Sequence, residues 1–246
     1  MTQELFRQDA YLRETAATVT EVGPQGVVLD RTVFYPLGGG QAGDSGVLVL
    51  ADGAALKVAD TRKHKDAEGQ PTAGIAHVPA PGQDALLARL RPGDPVLARI
   101  DWERRHKLMR FHTSTHLLCH LVPQLVNGCS ITAEYARLDF CMTAPLEKEA
   151  LTEGIARLVA AGHAVEVGAI TDEELDANPA LVKCMSVQPP RGSGRIRTIR
   201  IGGETGIDFQ PCGGTHVANT SEIGGVIVTK IEKKSATTRR VVLGFS

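Results

Sequence analysis

The chain has 246 residues, enough for one large domain or two modest ones, and its 42% hydrophobic and 22% charged residues are ordinary for a soluble globular protein. No apolar run approaches the roughly 20 residues that carry a helix across a bilayer, and the polar opening MTQELFRQDAYLRET is no signal peptide, which excludes a membrane role and points to the cytoplasm. The net charge of −1 hides an asymmetry: residues 186–246 hold nine Lys and Arg against four Asp and Glu, a mild basic excess that suits weak, transient contact with a polyanion.

Residues 15–100 read as β. Short alternating runs recur at Ala17–Val22, Gly26–Asp30, Gly46–Leu50, Ala55–Ala59 and Val96–Ile100, with turn signals at Gly23-Pro24, Asp52-Gly53, Pro81-Gly82 and Gly93-Asp94 between them. Many short strands in so short a span predict a small barrel, with Gln83–Leu90 as its one helix of any length. The pattern changes at Asp101. From there to Pro123 apolar residues fall at near-helical spacing, and Asp101 stands where an N-cap belongs, so a long helix opens a second domain. Next come a strand at Glu134–Met142, a helix at Leu146–Ala161, a strand at His163–Ala169 and a short helix at Asp172–Ala177. Strands at Arg195–Ile201, Gly225–Glu232 and Arg239–Phe245 complete the chain. Mixed elements without βαβ alternation predict an α+β fold, divided into residues 1–100 and 101–246, with no internal repeats.

His112 and His116 are four apart on the predicted long helix, so both imidazoles project from one face. The spacing matches zinc-binding helices, but the residues between are Thr113, Ser114 and Thr115, without the glutamate that serves as base in HExxH peptidases. Pro211-Cys212-Gly213-Gly214-Thr215-His216 supplies a second Cys/His pair across two glycines. Two His, one Cys and a further His suit zinc (Zn2+) in kind and number. The five cysteines are odd in number and scattered, which argues for reduced thiols; all but Cys212 read as small buried apolar residues.

These residues carry a family resemblance. His112-Thr-Ser-Thr-His116-Leu-Leu and Cys212-Gly-Gly-Thr-His216-Val resemble the two metal motifs of the alanyl-tRNA synthetase editing domain, and Arg137-Leu-Asp-Phe140 is similar to its intervening strand. Thr32-Val-Phe-Tyr-Pro36-Leu-Gly-Gly-Gly-Gln41-Ala-Gly-Asp44-Ser-Gly46 resembles the glycine-rich motif of the barrel that precedes that domain. The match spans roughly residues 5–246. With no aminoacylation domain before it and no long extension after it, the whole resembles a free-standing medium-length AlaX protein. The glycine-rich segment lacks the GK[ST] ending of a P-loop and the GxGxxG spacing of a dinucleotide fold. Read alone, it is either an unusual barrel turn or a close backbone approach to a ligand. The resemblance implies the latter, with Gly38, Gly39, Gly40 and Gln41 at the substrate.

The implied chemistry answers a discrimination problem. A pocket for alanine cannot exclude the smaller glycine and rejects the added hydroxyl of serine by only about a hundredfold. A second, hydrolytic site can select that hydroxyl, because a polar group left unpaired in a dry pocket costs roughly 1–3 kcal/mol. Thr115 and Thr132 are the candidates to meet it. The expected activity is zinc-dependent deacylation of tRNA(Ala) mischarged with serine, and also with glycine. Binding would draw on Arg104, Arg105, Lys107 and Arg110, and on Arg191, Arg195, Arg197, Lys233, Lys234, Arg239 and Arg240. The rival readings are an RNA-binding module stapled by structural zinc and a hydrolase for another small ester or amide.

Overall fold

The computed structural model describes residues 1–187, 189, 194–203 and 206–246; Arg191 lies outside them. The chain divides into two compact units, Met1–Gly38 with Ala42–His106, and Gly39–Gln41 with Lys107–Ser246. The protein is mixed α and β, with several separate sheets. No helix among the described residues is long and apolar enough to cross a membrane.

The first unit contains β1 (Gln3–Glu4), β2 (Glu14–Gly23), β3 (Gly26–Leu29), β4 (Arg31–Thr32), β5 (Gly46–Leu50), β6 (Ala55–Lys65), β7 (Pro71–Pro79), α1 (Asp84–Leu87) and β8 (Pro95–Ile100). Six strands close on one another in the order β2-β3-β7-β6-β5-β8, while β1 pairs with β4. The closed core follows from period-two patterning: Ala17 and Val19 of β2, Leu56 and Val58 of β6, and Val96, Ala98 and Ile100 of β8 all point inward and are buried. The pattern had not marked β7, whose Pro-Thr-Ala-Gly-Ile-Ala-His-Val-Pro sequence is bracketed by prolines and interrupted by Gly74. His77 of β7 is fully buried yet satisfied, with its ring nitrogens 2.9 Å from the Val27 carbonyl and 2.7 Å from Thr32 Oγ1.

The glycine-rich segment ends on a buried ion pair. Asp44 accepts from the Tyr35 N–H (2.6 Å) and from the Arg105 guanidinium, and Arg105 also donates to the carbonyls of Ala10 (3.0 Å) and Val33 (2.7 Å). Both side chains have no exposure, and a charge pair so buried persists because the two charges pair directly and backbone groups of Tyr35, Ala10 and Val33 bond them further. Arg105, expected at RNA, is therefore unavailable to any ligand. Charge counting could not see its burial.

α2 (Trp102–Leu121) belongs to the first unit up to His106 and to the second from Lys107. Its start is fixed as expected, by Asp101 Oδ1 accepting from the Arg104 N–H at 3.1 Å. The second unit continues with β9 (Val126–Ile131), β10 (Ala136–Cys141), α3 (Lys148–Ala160), β11 (Val165–Ile170), α4 (Asp172–Ala177), β12 (Ile196–Ile201), β13 (Asp208–Pro211), β14 (Val226–Ser235) and β15 (Thr238–Phe245). α4 begins on a capping box between Thr171 and Glu174. Two antiparallel sheets result, β14-β15-β10-β9 and β11-β12-β13. Alternation along β10 and β15 buries Leu138, Phe140, Val241 and Leu243, as α2 buries Leu117 and Leu118. The sequence had not marked β9, which has Asn-Gly in its interior, or the four-residue β13, which ends on a proline.

Candidate metal centre

His112, His116, Cys212 and His216 come together, with one ligand atom from each lying within 4.8 Å of all the others. α2 supplies the first two from adjacent turns of one face. Cys212 and His216 follow β13 on a turn whose carbonyls, at Cys212 and Gly214, accept from the Arg197 guanidinium at 2.7 and 3.0 Å. Arg197 was expected at RNA; it holds the metal turn instead. All four side chains are largely buried, Cys212 the least so.

Each imidazole is held through Nδ1. His112 Nδ1 is 2.7 Å from Gln41 Oε1, His116 Nδ1 is 2.7 Å from Asp208 Oδ2, and His216 Nδ1 is 3.2 Å from Thr113 Oγ1. With Nδ1 occupied, each ring turns Nε2 toward the cluster, and outer partners of this kind fix tautomer and orientation at metal sites. Cys212 Sγ lies 3.4 Å from His112 Nε2 and 3.3 Å from His216 Nε2. A zinc tetrahedron with Zn–N near 2.0–2.1 Å and Zn–S near 2.3 Å has edges of about 3.3–3.6 Å. The donor set and the two sulfur–nitrogen spacings therefore fit the ion, with all four donors within 4.8 Å of one another.

Electrostatics favour the same use. Burial alone would raise the Cys212 thiol, but the facing imidazoles of His112 and His216 hold it well below the usual thiol range. Burial, helped by His112, lowers His216 to about 3 and keeps it neutral. A thiolate and a neutral imidazole are the forms that ligate. His116 runs the other way: burial would lower it, yet the Asp208 carboxylate and Cys212 raise it to about 9. Asp208, which burial would raise, is brought to about 2 by His116 and by Lys183, which donates to its other oxygen. Gln210 Nε2 also donates to Asp208 Oδ2, at 2.9 Å.

The remaining sequence candidates fall in different places. Gln41 is buried, its Oε1 accepting from the Thr215 N–H (3.1 Å) as well as facing His112, and its Nε2 donating to Thr215 Oγ1 (2.9 Å). Gly39 and Gly40 have φ of 60° and 83°, a left-handed path that side chains resist. The Gly40 carbonyl accepts from the Ile131 N–H at 2.7 Å, and a Cβ there would lie 2.8 Å from Cys129 Sγ. The Gly38 carbonyl accepts from the Tyr35 hydroxyl at 2.9 Å. Thr115 is buried with its hydroxyl on the His112 carbonyl, 2.7 Å away. Thr132 sits in the turn between β9 and β10, its hydroxyl bonded within that turn to Tyr135 O, Glu134 N and Tyr135 N, each at 3.2 Å. The sequence reading missed Thr113, Asp208 and Gln210. For Asp208 and Gln210 one signal existed: a strand running through both into Cys212 puts these two residues and the cysteine on one face.

The grip of Gln41 on His112 gives a direct expectation. Gln41→Leu keeps bulk but leaves the His112 N–H and the Thr215 N–H without their acceptor, and outer partners typically contribute about 10–100-fold in metal affinity. Zinc affinity, measured by competition against a chromophoric chelator, should fall by that factor while secondary structure is unchanged. Wild-type affinity would show that Gln41 does not hold the ligand.

Residues 196–242 match the family described as the threonyl and alanyl tRNA synthetase second additional domain, and residues 5–104 match class II (A) tRNA synthetases. The alanyl-tRNA editing protein AlaX-M of Methanosarcina mazei is 33% identical over 98% of this chain and 95% of its own length. Its counterpart in Methanosarcina barkeri is 34% identical over 98% of both chains. The alanine–tRNA ligase of Metallosphaera sedula is 35% identical over 94% of this chain, in an alignment that takes in only 25% of the ligase.

Proposed function

Because the chain belongs to the alanyl-tRNA editing proteins of the AlaX-M kind, we propose that it is a cytoplasmic, zinc-dependent deacylase acting in trans on Ser-tRNA(Ala), with Gly-tRNA(Ala) as a second substrate. The observation that carries this reading is the cluster of His112, His116, Cys212 and His216 with every imidazole held from behind. In this reading residues 1–100 are the barrel domain and residues 101–246 the zinc-containing editing domain.

The substrate bond is an aminoacyl ester, already more reactive than a peptide, so no dedicated nucleophile is required. Zinc, when bound by the four residues, supplies positive charge that polarises the ester and organises its approach. The chain's own residues do the rest. Gln41, Asp208 and Thr113 keep the ligand rings in place, and the buried walls around Thr115 limit water. Gly40 brings bare backbone against β9, where a Cβ would run into Cys129. Thr132 follows Ile131, which pairs with Gln41, and is assigned to the serine hydroxyl, exchanging one of its turn bonds for the substrate.

Mischarged Ser-tRNA(Ala) should lose its serine at a rate proportional to zinc-loaded protein, while free serine ethyl ester is left largely intact. Equal hydrolysis of both would make the protein a small-ester hydrolase. A closed set of four protein ligands is also what a structural site uses, which favours a second reading as a tRNA-binding module stapled by zinc. Zinc-loaded protein that binds tRNA(Ala) and leaves the ester intact would establish it. Thr132→Val tests the specificity assignment: zinc content should be unchanged, and the preference for Ser-tRNA(Ala) over Ala-tRNA(Ala) should fall several-fold, as loss of a hydrogen bond of about 1 kcal/mol requires. An unaltered preference would remove Thr132 from the pocket.

A further inference from the structure

The sheet β14-β15-β10-β9 has one face buried and one that faces solvent. On the solvent face, cross-strand register aligns Asp139 with Arg240 and Arg240 with Glu232, and aligns Arg137 and Lys230 with Val242. Asp139 Oδ1 and Oδ2 accept from Arg240 Nε at 2.7 Å and from its terminal nitrogen at 2.8 Å, and Oδ2 accepts from Arg137 at 3.0 Å. One carboxylate thus holds two guanidiniums in fixed orientation. Lys230 Nζ is 2.7 Å from Glu232. Lys234 is exposed on β14, two residues beyond Glu232. Arg137, Arg240 and Lys230 therefore meet two carboxylates, with Lys234 next along the strand. On β9, the small residues Gly128 and Ser130 stand opposite Asp139 and Arg137, and Arg137 and Arg240 keep 26% and 20% of their side-chain surface open to solvent. Tyr135, exposed by 39%, borders the same face.

A salt-bridged sheet face is often only solvated surface. Two features set this one apart. Arg240 uses two of its five N–H donors on Asp139 and Arg137 one, and the rest have no partner among the described residues. Forks held in place with unused donors are suited to phosphate oxygens. The face also ends at β9, where Ile131 pairs with Gln41 and Gln41 holds His112. A polyanion lying on these residues would run to the border of the metal centre.

We propose that this face, through Arg137, Arg240, Lys230 and Lys234, binds the phosphate backbone of the acceptor arm of the tRNA substrate, with Tyr135 as a stacking platform for an unpaired nucleotide. Asp139 is a positioning residue for the two arginines. The inference rests on the tRNA reading of the metal centre, so its test must be separable from deacylation. Binding of uncharged tRNA(Ala) to zinc-loaded protein, followed by fluorescence anisotropy over a range of salt, is such a test.

Removing one cation that neutralises a phosphate should reduce the slope of log affinity against log salt by about 0.7–0.9. Arg137→Gln with Arg240→Gln should weaken binding about tenfold or more and reduce the slope by about 1.4–1.8, with zinc content unchanged. Because that pair leaves Asp139 alone, Lys230→Gln with Lys234→Gln serves as the variant that keeps the fold, and its slope should fall as well. Deacylation by these variants should show a raised KM with kcat preserved. A lysine variant with the wild-type slope overturns the proposal, as does wild-type protein that fails to bind tRNA. So does wild-type protein whose face takes up poly-glutamate in place of tRNA, which would mark an acidic protein as the occupant. Salt-dependent tRNA binding through these residues in a protein with no deacylase activity would uphold the surface and refute the proposed activity; intact deacylation with unaltered binding in the lysine variant would do the reverse.

Discussion

Cys212→Ala is expected to strip zinc from the protein and to reduce Ser-tRNA(Ala) deacylation by more than about a hundredfold, since even an outer partner of a metal ligand contributes about 10–100-fold. Cys212 is the only thiolate in the cluster, and so its softest ligand and the one that compensates the charge of the ion. Its sulfur stands 3.3–3.4 Å from two imidazole nitrogens, and the cluster holds the thiol well below its usual range against the effect of burial. Removing it leaves three inward-facing rings with no anion between them. Cys212→Ser keeps the size but offers a harder, rarely ionised oxygen, so it should retain zinc only weakly. Metal content and single-turnover deacylation decide the matter together. If the alanine variant keeps wild-type deacylation with the metal gone, zinc is not part of the mechanism.

The ligands were legible in the sequence because each pair is encoded locally. A four-residue interval on a helix puts His112 and His116 on one face, and Cys-Gly-Gly-Thr-His can fold back on itself, whatever the rest of the chain does. The residues behind the ligands were less legible. His116 meets Asp208 across 92 positions and His112 meets Gln41 across 71, and no spacing rule spans such gaps. Strands followed the same division. β5 keeps the limits expected from its unbroken alternation, Gly46–Leu50, whereas β7, β9 and β13 went unmarked because glycine or proline interrupts them. Basic residues were least legible of all. Composition treats Arg105, Arg197 and Arg240 alike, yet one is sealed against Asp44, one clamps the metal turn and one lies on the solvent face of a sheet. Burial and partner choice divide them, and both are properties of the folded chain.

Gly214→Ala is expected to be nearly as damaging as loss of a ligand, although it removes none. A Cβ on Gly214 would land on the His112 ring at Cε1 and Nδ1, far inside the 3.0 Å that real Cβ atoms respect, and 2.9 Å from Gln41 Oε1. The neighbours it meets cannot yield cheaply. His112 is fixed by its bond to Gln41 and by the turn of α2 that carries it, and the Gly214 carbonyl is fixed by Arg197. Either His112 rotates, which breaks the Gln41 bond and turns Nε2 away from the cluster, or the 212–216 turn lifts, which moves Cys212 and His216. Both routes pull ligands apart, and a displacement on the scale of a bond length is enough to empty a site built for bonds near 2.0–2.3 Å. The variant should therefore fold with near-native secondary structure and hold zinc at least about tenfold more weakly, the lower end of what an outer partner contributes. Deacylation should fall in parallel, and saturating zinc should restore part of it, because all four donors are still present. Wild-type zinc affinity in Gly214→Ala would mean that the turn and His112 do not meet in this way. Full affinity with abolished activity would instead make Gly214 a contact for the substrate.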